Sequence, residues 1–329
     1  MSGAPAAALS EFGVIRRFFT RASPHAVLGV GDDAALVRPS EGMLLAVSAD
    51  MLLVHHHFFP DDDPFQLGAK CLAVNLSDMA AMGAKPRWAT LGLALPEVDE
   101  PWLEQFSAGF FALARRYGVD LVGGDTSRGP LTVCVQIMGE VPPGQALRRS
   151  GAQPGDDLWV SGHLGDAALA LAYLQRRIAL SPAQAKACLP ALHAPTPRVK
   201  LGLALRGLAT SAIDLSDGLA SDLSHVLEAS GVAAEVDASR LPVSPTGAQH
   251  LTAPAGLACV VAGGEDYELL FTAPAARRED VVRLARSTDV PLTLIGRIMA
   301  GTGLTLRDAQ GCPIGLAKPG FDHFSGGVA

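Results

Sequence analysis

The chain is poor in charge and poor in aromatic rings: 18% of its residues are charged and 5% are aromatic. It has no basic excess, since the formal net charge is −7. Without a basic footprint, Lys/Arg runs or aromatic-basic interleaving, a nucleic-acid partner is not expected. No apolar run reaches the roughly 18 residues that a membrane helix needs. Met1–Ser10 is small and Ala-rich but carries no Lys or Arg, so it does not read as a signal peptide. The five cysteines are scattered, odd in number and form no C-x-x-C, which points to neither a disulfide frame nor a zinc site. A reducing cytoplasm is the simplest setting. There is no G-x-x-x-x-G-K-[ST] and no protein-kinase motif set, and Gly29-Val30-Gly31 lacks the third glycine of a dinucleotide fingerprint.

What is present is ample apolar material, 49% of 329 residues, enough for two domains with separate cores. Cap signals predict helices over 63–83, 99–117, 181 onward, 196–208 and 217–230, the last stopped by Gly231. Apolar runs predict strands over 43–47, 89–95, 131–141, 157–161, 257–262 and 292–298. Their alternation gives an α/β (α+β) class. Val141-Pro142-Pro143-Gly144, followed by Arg148-Arg149, breaks the pattern and sets expected domains of 1–145 and 146–329.

The acids are informative through their placement. Asp32-Asp33, Asp50, Asp78, Asp125, Asp214, and Glu265-Asp266 each follow an apolar run, directly or through Gly or Ser. Each run reads as a buried strand, which would put each acid at a strand end, where α/β proteins bind ligands. Carboxylates gathered without Lys or Arg repel one another unless a cation compensates. Oxygen-only donors suit Mg²⁺ shared with substrate phosphates. The alternative is that such an Asp is a turn residue or helix cap, and Asp217 could simply cap its helix.

Taken together, six segments carry a family resemblance: G-V-G-D-D-A-A-L (29–36), N-L-S-D-M-A-A-M-G-A (75–84), L-V-G-G-D-T-S-R-G-P (121–130), R-S-G-A-Q-P-G-D (149–156), I-D-L-S-D-G-L (213–219) and G-G-E-D-Y-E-L (263–269). With the closing G-F-D-H-F (320–324), the set resembles the thiamine-monophosphate kinases. That family lies in the superfamily of aminoimidazole ribonucleotide synthetase and selenophosphate synthetase. The resemblance implies a two-domain fold whose N-terminal domain forms a dimeric β-barrel, hence a homodimer. It also implies direct transfer of the ATP γ-phosphate to thiamine monophosphate, the last step of thiamine diphosphate biosynthesis. Carried over, Asp33, Ser48, Asp50, Asp78, Asp125, Asp214 and Asp217 would ligate several Mg²⁺ ions, with Asp32 secondary. Gly124, Asp125, Arg149 and Ser216 would contact ATP, and His57, Glu265 and Phe321 would hold the substrate. No single residue is expected to act as covalent nucleophile or general base. Ala49 and Ser107 depart from relatives that carry Thr and Tyr there. Other readings are a different ATP-using member of the superfamily, against which the lack of an N-terminal Cys counts, and a non-catalytic nucleotide or thiamine sensor.

Overall fold

The computed structural model describes residues 9–251 and 253–315. The chain divides into two compact units, 1–76 with 86–141, and 77–85 with 142–329. One cut falls inside a helix.

The first unit holds β1 (Ala26–Leu28), β2 (Leu36–Val37), β3 (Leu44–Leu53), β4 (Lys85–Leu95), β5 (Asp120–Arg128) and β6 (Thr132–Val141). Its helices are α1 (Glu11–Val14), α2 (Pro64–Ala81) and α3 (Glu100–Tyr117). β1 and β2 pair with each other, and the remaining strands form an open sheet in the order β3-β6-β4-β5. β3 runs antiparallel to β6 with Asp50 opposite Val135, and β4 runs parallel to β5. α3 begins as its cap chemistry predicts: Asp99 accepts from Trp102 N, and Gly118 closes the helix at φ 66°. Its buried face carries Leu103, Phe106 and Phe110, with Trp102 stacked on Phe106 at 4.9 Å.

The second unit is built on a six-stranded mixed sheet. Its strands are β7 (Asp156–Ser161), β8 (Ser211–Asp214), β9 (Ala233–Asp237), β10 (Leu269–Pro274), β11 (Leu292–Met299) and β12 (Gly303–Arg307). Their order is β12-β9-β11-β7-β10-β8, antiparallel except for β12 against β9. The helices are α4 (Asp166–Leu174), α5 (Pro182–His193), α6 (Val199–Leu205), α7 (Leu219–Ser230), α8 (Pro245–His250), α9 (Pro254–Ala262) and α10 (Arg278–Thr288). Leu158, Val160, Ile213 and Leu270 of the sheet form one core with Leu223 and Val226 of α7 and Val260 and Val261 of α9. Trp159 and Phe271 stack on neighbouring strands with ring centroids 6.5 Å apart.

Three sequence expectations need correction. The run 257–262 is not a strand but the end of α9. Pro254 supplies a helical start, and a short, fully apolar run looks the same whether it is a buried strand or a buried helix. The fourth expected helix starts at Val199 rather than beside Pro197, and ends at Leu205. Most consequentially, the acids do not all lie at strand ends. Asp50 and Asp125 sit inside β3 and β5, and Asp78 sits inside α2; Asp214 closes β8 as expected.

Candidate functional site

In the first unit, the candidate ligands are surface groups on or beside strands. Ser48 and Asp50 are two apart on β3, so they share a face; both are half-buried, while Val47, Ala49 and Met51 between and beside them are exposed. Asp50 N donates to Asn75 Oδ1 at 3.2 Å, and Asn75 Nδ2 in turn bonds Cys71 O within α2. Asp33 is exposed, and its N–H bonds Asp32 Oδ1 at 2.9 Å. Asp125 is exposed on β5 and accepts from Ser127 Oγ at 2.9 Å. Gly124 before it has φ 145°, and a Cβ there would overlap Leu91 O, so position 124 tolerates no side chain.

The His55–His57 turn separates its three rings. His55 and His56 are exposed, whereas His57 is half-buried. Its Nδ1 accepts from Leu53 N at 3.1 Å, and its carbonyl accepts from Lys70 Nζ at 3.3 Å. Ser107 is buried in α3, where its hydroxyl bonds Glu104 O at 3.2 Å. Phe321 lies outside the described residues.

In the second unit the acids are buried and press on one another. Asp214 ends β8 with its backbone in the sheet. Burial first, and the charge of Asp78 second, push its carboxyl up to about 7; a hydrogen bond from Ser77 and the positive charge of Arg149 work against that. Asp222, in the first turn of α7, rises to about 8 by burial and by the charges of Asp217 and Asp214. Asp266 is raised well above the usual carboxylate range, mainly by burial, although its Oδ1 accepts from Gly165 N at 2.9 Å.

The backbone of this region is tightly specified. Leu215 N donates to Glu268 O at 2.9 Å, Glu265 N to Ser216 O at 2.8 Å and Tyr267 N to Leu215 O at 2.8 Å. The loop with Ser216 and the loop with Glu265 are thus laced together. Glu265 and Tyr267 hold φ of 72° and 48°, a left-handed conformation that costs energy in non-glycine residues and clusters at functional sites. Glu268 is fixed by both guanidinium arms of Arg198 and by Ser161 Oγ. The Arg149 turn is anchored by Ser230, whose hydroxyl donates to Arg149 O and accepts from Gly151 N and Ala152 N at 3.1–3.2 Å.

Sequence reasoning singled out Asp266 beside Glu265 but gave it no role, and it missed Asp222 and the Arg198–Glu268 pair. A signal existed for Asp222, an acid near the start of an expected helix. None existed for Arg198 and Glu268, which are 70 positions apart.

No three His, Cys, Asp or Glu side chains come close enough to share one ion among the described residues. The donor set still fits Mg²⁺. The donors are oxygens only, and Asp78, Asp214 and Asp217 are crowded with like charge that a cation would relieve. Mg²⁺ usually takes one or two carboxylates and completes its octahedron with water and phosphate, so a closed protein cage is not required. A depression of about 600 Å³ on the second unit, lined by Asp157, Glu235, Arg240, Arg278, Arg297 and Arg307 among others, shares no residue with these loops.

Residues 31–141 match the N-terminal domain of the AIR synthase related proteins, and residues 153–309 match their C-terminal domain. The thiamine-monophosphate kinase of Escherichia coli is 47% identical over 97% of this chain and 99% of its own length. That of Bacillus subtilis is 34% identical over 96% of this chain and 100% of its own. Among solved structures, the thiamine-monophosphate kinase from Stenotrophomonas maltophilia superposes with a TM-score of 0.81 at 50% identity, covering 86% of this chain and 91% of that one. AaThiL complexed with AMPPCP and TMP superposes with a TM-score of 0.76 at 29% identity, covering 87% of this chain and 89% of that one.

Proposed function

We propose a function from one premise: the chain belongs to the thiamine-monophosphate kinase family, within the AIR synthase related proteins. It is a phosphotransferase that moves the γ-phosphate of ATP onto the phosphate of thiamine monophosphate, giving thiamine diphosphate and ADP. The observation that carries this is identity near one half along almost the whole chain, to relatives of that one name. The relative solved with AMPPCP and TMP adds the matching pair of ligands.

Phosphoryl transfer asks little covalent chemistry of a protein; it asks for in-line positioning and for neutralised charge. In this reading Asp33, Ser48, Asp50 and Asp125 of the first unit, and Asp78, Asp214 and Asp217 of the second, hold Mg²⁺. Bound there, the metal supplies the positive charge that lets two anionic phosphates approach. Gly124 and Asp125 face the nucleotide in the first unit, Arg149 and Ser216 in the second. The support for Arg149 is its anchored turn and its guanidinium fork, which matches phosphate oxygens. On the substrate side stand His57, Glu265, and Phe321 as a ring for the cationic thiazolium. The first unit is read as the ATP, metal and dimerisation domain, and the second as the one that completes the site.

A homodimer formed through the first unit belongs to the same reading. Its support is β3, an edge strand of an open sheet whose outer side exposes Leu45, Val47 and Met51. Such an edge is ordinarily blunted or paired. Light scattering checks this: Val47→Lys with Met51→Lys should halve the particle mass if β3 is the contact, and an unchanged mass would remove β3 from it. Five cysteines without a disulfide agree with a reducing, cytoplasmic setting.

The reaction is tested by ADP release from ATP and Mg²⁺, with thiamine monophosphate compared against free thiamine. Release with the monophosphate alone, together with new thiamine diphosphate, is expected. ADP formation with neither would refute the assignment.

A further inference from the structure

Asp222 is in none of the ligand sets above, yet it is 2% exposed, and among the described residues it is in no ion pair. Its work is on the backbone. Its Oδ2 accepts from Asp217 N at 3.0 Å and from Gly218 N at 3.1 Å, and its own N–H donates to Gly218 O at 3.0 Å. α7 starts on Gly218, which has no side chain to cap it, so the carboxylate one turn ahead reaches back to serve the two N–H groups in front of the helix. The loop it grips is the one that carries Asp214, Ser216 and Asp217. At the loop's other side, Glu265 N and Tyr267 N bond Ser216 O and Leu215 O. Gly218 itself is at φ 109°, with the Ala262 carbonyl carbon and Gly263 O each 2.9 Å from where a Cβ would be. A buried acid without a cation is a poor choice for stability alone, since an apolar residue would avoid its desolvation.

The geometry points to Asp222 as a positioning residue that fixes the 214–218 loop so that the Asp214 and Asp217 carboxylates are presented to Mg²⁺. It touches neither metal nor phosphate itself. The inference rests on the metal-assisted reading of this site.

Full-length protein with Asp222→Ala and with Asp222→Asn tests it, by calorimetric titration of MgCl₂ in the presence of a non-hydrolysable ATP analogue. Asp222→Ala should weaken Mg²⁺ binding at least about tenfold. Asp222→Asn keeps an oxygen that can accept both N–H groups and should stay within about threefold of the parent. The Mg²⁺ concentration for half-maximal turnover should follow the same order. Unchanged Mg²⁺ affinity in Asp222→Ala, even with a lowered unfolding midpoint, would reduce Asp222 to a structural role and overturn the inference. So would equal weakening in both variants, or a parent protein that binds no Mg²⁺. If Asp222→Ala does not fold, Asp222→Glu, which displaces the oxygens by one methylene, takes its place; affinity within twofold of the parent would then overturn it. Because calorimetry needs no turnover, a parent that binds Mg²⁺ but makes no thiamine diphosphate would refute the kinase assignment and leave this inference standing.

Discussion

The two units present carboxylates in opposite ways. In the first, Asp33 and Asp125 are exposed and Asp50 is half-buried, each on or beside a strand. In the second, Asp214 and Asp222 are buried, and burial with neighbouring acids pushes them to about 7 and about 8. An exposed carboxylate keeps its hydration and costs the fold little. A buried, crowded one holds unfavourable free energy that a cation can release. The second unit is therefore where magnesium should couple most strongly to stability, and the first where it should couple least.

The sharpest way to test this contrast is one substitution in each unit. Asp214→Asn should remove several kcal/mol of transition-state stabilisation, on the order of a hundredfold or more in kcat. It should also raise the Mg²⁺-free unfolding temperature, because a repelled buried charge is gone. Asp125→Asn should lower turnover while leaving Mg²⁺-free stability within about 0.5 kcal/mol, as surface changes do. Calorimetric scans with and without Mg²⁺ decide it; equal stability responses in the two variants would end the comparison.

Next in size is Gly218→Ala, where a left-handed φ and two close backbone atoms leave no place for a methyl group. A loss of about 1–3 kcal/mol is expected from the denaturant midpoint. A neutral result would mean that the loop can shift, contrary to a rigidly set metal loop.

The first unit holds a counter-example that bounds the contrast. Glu140 is buried, which raises its pKa, but Ser40 N at 2.6 Å and Arg87 Nε at 2.8 Å more than reverse this and hold it below its ordinary 4.5. A depressed folded value stabilises: the contribution is complete above about pH 4.5 and disappears as the pH falls through the folded value. Arg87→Ala should cost about 1–3 kcal/mol near neutrality, by stranding a buried carboxylate. Urea titrations across pH 3–7 should show the parent losing its advantage over the variant only at the acid end.

The smallest effect expected is at the histidines. His57→Ala should raise KM for thiamine monophosphate several-fold and cost about 1 kcal/mol, because Leu53 N loses its acceptor. His56→Ala should do neither. Equal behaviour of the two would leave His57 with no special place.

Much of this architecture was legible from local chemistry. The Asp99 cap with Pro101, Ser181 with Pro182, and Gly231 after α7 each act over a few residues, and each helix end falls where they place it. Burial symmetry was not legible. Val260 and Val261 are apolar on every side, so no period distinguished α9 from a strand. Asp214 was expected at a strand end and lies there, but the idea that every such acid ends a strand failed at Asp50, Asp78 and Asp125. Depth in the fold, which separates Asp214 from Asp125, depends on pairings such as Leu269 with Asp214 that no local pattern announces.

The aromatic placement has an optical consequence. The chain has only three tryptophans. Trp88 and Trp102 belong to the first unit, and Trp159, stacked on Phe271, belongs to the second. Replacing Trp88 and Trp102 with Phe leaves a protein whose tryptophan emission, excited at the red edge where tyrosine does not absorb, comes from a single ring within the six-stranded sheet. Such a molecule reports, by colour alone, the melting of the unit with the buried acids, and comparison with the whole-chain heat uptake tells whether that unit melts on its own.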